Sequence, residues 1–141
     1  MVKVGVRMPA RVEDAGDFLA NVRALEAAGA ALIAAEGDTE DQWVALAAIA
    51  VATERVQVLA PDAAPPSLRA LGRGRLVTRL PEQEAWVDAT LPADRTGWAS
   101  MLGEHEKAGA TGVIVTWDPR LIDLLRNPEP DDRSDLLMST G

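Results

Sequence analysis

The sequence predicts an α/β protein built around a parallel β-sheet. Three nearly unbroken apolar runs, each preceded by a helix-like segment, span residues 31–36, 55–60 and 112–117. Runs this short suit strands that are covered on both faces, as strands of parallel sheets normally are. Strand–helix–strand connections within one sheet are right-handed, and the three strands are expected to lie parallel. Any functional site is then expected at the carboxyl ends of these strands.

The chain opens with a strand and an amphipathic helix. Residues 2–8 form an alternating pattern, in which Val2, Val4 and Val6 are separated by Lys3, Gly5 and Arg7, and Pro9 ends it. Apolar residues then recur at spacings of three and four along residues 13–28, which is typical of a helix with one buried face. Gly29 follows where a left-handed C-terminal cap is expected.

The second helix follows an acidic turn. Thr39 and Gln42 have the spacing of a capping box, which predicts a helix that begins near Glu40. Residues 43–52 are apolar almost all the way round, and this composition predicts a helix with no side in contact with water.

The second half of the chain predicts shorter elements. A short helix is expected over residues 67–71, and strands are expected over residues 75–80 and 86–91. Asp94 is a suitable N-cap for the next helix, and Asp118, followed by proline, is a suitable cap for the last one. The predicted buried face of the Asp94 helix consists of Trp98, Met101, Leu102, His105 and Ala108. On that face, the only histidine of the chain is expected to be structural rather than catalytic.

Composition limits the possible functions. The chain has 141 residues, of which 48% are hydrophobic and 26% are charged, and this is typical of one globular domain. It has no cysteine, which excludes disulfides, thiolate metal sites and cysteine nucleophiles. A net charge of −8 disfavours nucleic acids and anionic membranes as partners. No apolar run is long enough to cross a bilayer, and residues 1–9 lack a signal-peptide pattern, so a cytoplasmic location is expected.

Three stretches contain residue types that can carry chemistry. The acidic turn with Glu36 and Asp38 suits Mg²⁺ or an acid–base pair, although a solvated turn with helix-capping acids is the favoured interpretation. Residues 72–75, Gly-Arg-Gly-Arg, can hold a phosphate through backbone N–H groups, but match neither the Walker pattern nor the dinucleotide-binding fingerprint. Trp117 ends an apolar strand and can stack on a ring, whereas the other three tryptophans, Trp43, Trp86 and Trp98, have core patterns.

Residues 22–59, VRALEAAGAALIAAEGDTEDQWVALAAIAVATERVQVL, resemble the luciferase-like superfamily of flavin- and deazaflavin-dependent oxidoreductases. The family reads helix, E-x-x-G, strand, acidic turn, a helix ending A-x-A-T-x-R-[IV], and strand. The residues that fall on its final motif are Ala48, Ala50, Thr53, Arg55 and Val56. The proline-led segment 65–68, LGRGRL at 71–76 and the later unit at 105–128 are also similar to the family. The resemblance extends over residues 2–127 and rests mainly on residues 22–80.

The resemblance implies a shortened TIM-barrel-like parallel (β/α) sheet of about six strands. A full barrel takes about 250 residues. It also implies a cofactor, FMN or a deazaflavin coenzyme, at the carboxyl face, with flavin-dependent oxidoreductase or monooxygenase activity. The implied cofactor-binding residues are Arg7, Glu36, Asp38, Asp62, Arg79 and Trp117. In that arrangement Arg7 and Arg79 contact the phosphate or the pyrimidine edge, and Trp117 stacks on the ring.

Two positions depart from the family at this face, and they leave an alternative open. Residues 78–81, Thr-Arg-Leu-Pro, replace the usual glycine-rich end of strand four, and no histidine accompanies Glu36 and Asp38. The alternative is a non-catalytic remnant of the barrel that binds no cofactor and serves as an interaction or structural protein. No catalytic residue and no metal ligand can be assigned.

The predicted organisation is a barrel domain over residues 1–127 and an acidic, flexible tail over residues 128–141. A homodimer is expected, because a six-stranded barrel leaves open edges and the helix at 43–52 is very apolar. The tail, with its apolar patch at 136–138, or the proline loop at 61–66 can instead cover an edge within one chain.

Overall fold

The computed structural model describes residues 2–127, which form a single sheet of six parallel strands with five helices. The strands are β1 (Lys3–Pro9), β2 (Leu32–Glu36), β3 (Gln57–Leu59), β4 (Leu76–Val77), β5 (Trp86–Asp88) and β6 (Gly112–Thr116). The helices are α1 (Ala15–Ala28), α2 (Thr39–Ala52), α3 (Pro66–Gly72), α4 (Arg95–Lys107) and α5 (Leu121–Arg126). The prediction of a parallel α/β fold is confirmed.

The order of the strands is that of a barrel that has been shortened and left open. Across the sheet the strands run β4-β3-β2-β1-β6-β5. Each strand–helix–strand connection advances in the same direction, and right-handed connections of this kind place their helices on one face. The last strand, β6, returns to lie beside β1, as it does in a closed (β/α) barrel. Within the described residues, β4 and β5 are the two edges and no ladder joins them.

The main core lies between the sheet and the helices. Alternate residues of β1 (Val4, Val6 and Met8) are buried there because successive side chains of a strand point to opposite faces. Every helix contributes buried side chains to this one cluster: Phe18, Val22 and Leu25 from α1; Ala45, Leu46, Ile49 and Ala50 from α2; Leu68 from α3; Trp98 from α4; Leu121 and Leu124 from α5.

The opposite, concave face of the sheet is partly filled by Trp86. A Cβ added at Gly112 would lie 2.5 Å from the indole ring of Trp86, and one at Gly5 would lie 3.2 Å from it. The two glycines therefore let the ring lie directly on β6 and β1. Trp86 is only half-buried. It was expected in the core, but it lies on the concave face instead, where the strands of a complete barrel would cover it.

A connection without a helix replaces the missing part of the barrel. Because β4 and β5 are parallel, residues 78–85 must return from the carboxyl edge of the sheet to its amino edge. Glu84 anchors the end of this connection by accepting hydrogen bonds from Lys3 Nζ (2.7 Å) and from the indole N–H of Trp86 (3.0 Å). These two bonds, the one from Lys3 foremost, lower the pKa of Glu84.

Several predicted boundaries differ from the structure at helix starts and short strands. The N-cap of α2 is Asp38, whose carboxylate accepts the N–H of Asp41, and Gln42 donates to the carbonyl of Ala35 instead of completing a capping box. The last helix begins at Leu121 rather than directly after Asp118. The predicted strands at 75–80 and 86–91 are reduced to two and three residues, since each lies at an open edge with one neighbour.

Two predictions about burial are wrong. Trp98 is fully buried, but His105 of the same face is only half-buried and Ala108 is exposed. Helix α2 does contact solvent in the single chain, where Val44 is 67% exposed and Val51 is 62% exposed. The tail at 128–141 and its apolar patch at 136–138 lie outside the described residues.

Candidate binding site at the carboxyl edge

The six residues that the resemblance implies as cofactor contacts all lie at or near the carboxyl edge of the sheet, but they do not form one pocket. Arg79, after β4, and Trp117, after β6, are four strand spacings apart in the sheet order. Trp117 lines two clefts at this edge, and neither of them is lined by Arg79.

Arg7 and Trp117 lie on opposite faces of the sheet. Arg7 is in register with Thr116, so the next residue, Trp117, is directed to the other side. Trp117 packs against the core between the sheet and the helices, whereas Arg7 is on the concave face with Asp88. The guanidinium of Arg7 donates to the Asp88 carboxylate at 3.0 Å. Arg7, which the resemblance implies as a phosphate contact, is therefore already paired with a carboxylate.

The three predicted carboxylates have different surroundings. Asp38 caps α2 through its side chain, as a structural residue does. Glu36 is the last residue of β2, Asp62 follows β3, and both are exposed. Within residues 2–127, no three side chains of the types that ligate metals are placed to hold an ion together, so the magnesium hypothesis for the acidic turn has no structural support.

Trp117 separates two clefts at the carboxyl edge. One cleft, of about 440 Å³, lies between the end of β1 and the start of α1, and is lined by Met8, Pro9, Arg11, Val12, Glu13, Phe18, Asn21 and Trp117. The other, of about 340 Å³, lies beyond the ends of β5 and β6 and is lined by Ala89, Thr90, Leu91, Thr116, Trp117, Asp118 and Arg120. Volumes of this order are within the range of small-molecule sites.

The smaller cleft has no free cation. The guanidinium of Arg120 donates to the Asp118 carboxylate at 3.1 Å and to the carbonyls of Pro92 and Ala93 at 3.0 and 2.8 Å. The backbone N–H of Arg120, together with that guanidinium, lowers the pKa of Asp118. Asp118 therefore remains charged in this cleft and disfavours an anion.

The larger cleft has a charged residue that the sequence reasoning missed. Arg11 lines it, is exposed, and makes no side-chain hydrogen bond or ion pair with the part of the chain that the structure describes. No motif marks this residue. The available signal was its position two residues after Pro9, in the loop that leaves the carboxyl end of β1.

The glycine- and arginine-rich segment 72–75 has a structural role at the amino edge, away from these clefts. Arg73 and Arg75 donate to backbone carbonyls at the end of α2, including that of Ala50 at 3.2 and 2.7 Å. Arg75 also donates to the hydroxyl of the buried Thr53 at 2.7 Å. The phosphate hypothesis for this segment is therefore not supported, since its guanidiniums hold a helix end.

Comparisons with known protein families, curated proteins and solved structures gave no match. In the described part of the chain, no helix combines the length and apolar character needed to cross a membrane.

Proposed function

We propose that this chain is a shortened luciferase-like barrel that binds a flavin or deazaflavin at the carboxyl edge, beside Trp117, in the cytoplasm. The observation that carries the proposal is the pair of clefts that are both lined by Trp117, at the edge where parallel α/β sheets bind ligands. When bound, such a cofactor supplies hydride or oxygen chemistry, and the protein supplies orientation and electrostatics.

The contacts proposed for the cofactor change once the geometry is considered. Trp117 is retained as the stacking residue, because it is half-buried and lines both clefts. Arg7 is paired with Asp88, and Arg79 lines neither cleft, so neither is a contact of a ligand held beside Trp117. Glu36 and Asp62 likewise line neither cleft.

Equilibrium dialysis of the full chain against FMN and a deazaflavin mononucleotide tests this proposal. We expect saturable binding of at least one of them, and a loss of about tenfold or more in affinity for Trp117→Leu, because a stacked aromatic contact is worth about 1–3 kcal/mol. Trp43→Leu is the matched control, since Trp43 is half-buried but lines neither cleft. Absence of binding by the folded wild-type chain would refute the proposal.

The second candidate is a non-catalytic interaction protein that forms a homodimer through α2. The large apolar side chains that are exposed in the described chain are Val44, Val51 and Leu71, on the neighbouring helices α2 and α3. Val44 and Val51 are two helical turns apart and face the same side. Residues 42–53 carry no charge, so two copies can meet here without the repulsion that a net charge of −8 otherwise causes.

Light scattering coupled to size exclusion, at micromolar concentration, tests the dimer. We expect twice the mass of the 15.0 kDa chain, and a monomer for the double variant Val44→Glu/Val51→Glu. The control is Ala20→Glu/Ala27→Glu, which places the same charges seven residues apart on exposed positions of α1. A 15.0 kDa mass for the wild type across a dilution series would exclude the dimer.

A further inference from the structure

The larger cleft beside Trp117 lies outside the barrel axis, between the helix layer and the end of the sheet. Trp117 and Phe18 provide aromatic side chains in its lining, and Arg11, Glu13 and Asn21 provide polar groups. This combination of aromatic and hydrogen-bonding side chains is typical of sites that hold a planar ring with polar substituents.

The loop that carries Arg11 is fixed at its base. The N–H of Ala10 donates to the carbonyl of Glu36 at 2.8 Å, and the N–H of Trp117 donates to the carbonyl of Arg7 at 2.9 Å. Ala10 is buried and packs closely on Gly37, where an added Cβ would lie 2.7 Å from the Ala10 Cβ. The cleft therefore has walls held by the sheet, and a ligand need not order them on binding.

Arg11 is the one basic residue in the lining of this cleft. The guanidiniums of Arg7 and Arg120, at the same edge of the sheet, are each held by a carboxylate. Arg11 has no such partner within residues 2–127, and it lies at the opening of a cleft in a protein of net charge −8. An unpaired guanidinium beside an aromatic wall favours a ligand that combines a ring with an anionic group.

We propose that Arg11 binds the phosphate of the flavin or deazaflavin mononucleotide whose ring stacks on Trp117, in the cleft between Phe18 and Trp117. This inference rests on the proposed function, and it assigns to Arg11 the phosphate contact that the resemblance implied for Arg7 and Arg79. Glu13, in the same cleft, opposes the phosphate and limits the affinity.

Comparison of FMN with riboflavin isolates the phosphate contact, because riboflavin lacks only that group. We expect the full-length wild type to bind FMN about tenfold more tightly than riboflavin, the size of one hydrogen-bonded charge pair. Arg11→Met removes this preference and leaves riboflavin affinity unchanged. Arg79→Met, the matched control on an exposed arginine after β4, retains the preference, and Glu13→Gln increases it.

The outcomes separate the inference from the function on which it rests. If the wild type binds FMN but Arg11→Met keeps the preference over riboflavin, the inference is wrong and the proposed function stands. Loss of the preference in Arg79→Met alone, or a wild type with no preference, also overturns the inference. If the folded wild type binds neither compound, both fail.

Discussion

Glu26 shows how one side chain can hold two units of the barrel together. Its carboxylate accepts N–H groups from three successive residues before β3: Glu54 at 3.0 Å, Arg55 at 2.7 Å and Val56 at 2.9 Å. Partial burial raises the pKa of Glu26, but these hydrogen bonds outweigh it and lower the pKa below its ordinary value of 4.5. The ionised form is therefore the one that the fold stabilises.

The sign of the shift predicts how stability depends on pH. Because the folded-state pKa of Glu26 is depressed, its contribution is fully present above pH 4.5 and is lost as the pH falls through the folded-state pKa. We expect Glu26→Gln to cost about 1–3 kcal/mol near pH 7, and less in acid. Urea unfolding of the wild type and the variant at several pH values measures this. Glu104→Gln, at an exposed position of α4, is the control, and a pH-independent difference for Glu26→Gln would contradict the account.

At the scale of the element, the end of α2 depends on arginines from the next unit. Thr53 donates its hydroxyl to the carbonyl of Ile49 at 2.7 Å and accepts from Arg75. Arg75 also donates to the carbonyls of Ala50 and Val56, at 2.7 and 3.1 Å. Cations near the last carbonyls of a helix satisfy their lone pairs and interact favourably with the helix dipole.

Replacement of Arg75 tests whether this segment is structural. Arg75→Met removes the donor to the Val56 carbonyl and to the buried Thr53 hydroxyl, and leaves the Ala50 carbonyl with only the 3.2 Å bond from Arg73. We expect a loss of about 1–3 kcal/mol in the free energy of unfolding. Flavin affinity should not change, because the segment lies at the amino edge. Arg69→Met, at an exposed position of α3, should leave both quantities unchanged. A stable Arg75→Met variant that fails to bind FMN would restore the phosphate hypothesis.

Features that depend on local sequence, such as helix caps, could largely be predicted from the sequence. The lengths of the edge strands could not, because they depend on pairing with adjacent strands. Gly29 is a left-handed cap with φ of 110°, and Asp94 caps α4, both as the sequence predicts. The α2 cap was misplaced by one residue because Asp38 and Thr39 are both good caps, and only the backbone decides between them. The edge strands were predicted too long, since the number of neighbours in the sheet determines where a ladder ends.

At the scale of the whole molecule, the open barrel follows from pairings distant in sequence. The pairing of β6 with β1 joins residues more than a hundred positions apart, and no local pattern predicts it. The placement of the site depends on the same register. An offset of one residue directs Arg7 to the concave face and Trp117 to the helix side. The sequence therefore predicted that the six residues lie near the carboxyl edge of the sheet, but it combined residues from the two faces of the sheet.

The most direct test of binding beside Trp117 is NMR of the ¹⁵N-labelled full chain titrated with FMN. The four tryptophan indole N–H groups report on different places: the core (Trp98), the concave face (Trp86), helix α2 (Trp43) and the proposed site (Trp117). We predict that the indole signal of Trp117 and the backbone amides of residues 10–14 shift in a saturable way, while those of residues 72–75 do not. No shift at millimolar FMN, or shifts confined to residues 72–75 or to the Trp86 indole, would contradict the account.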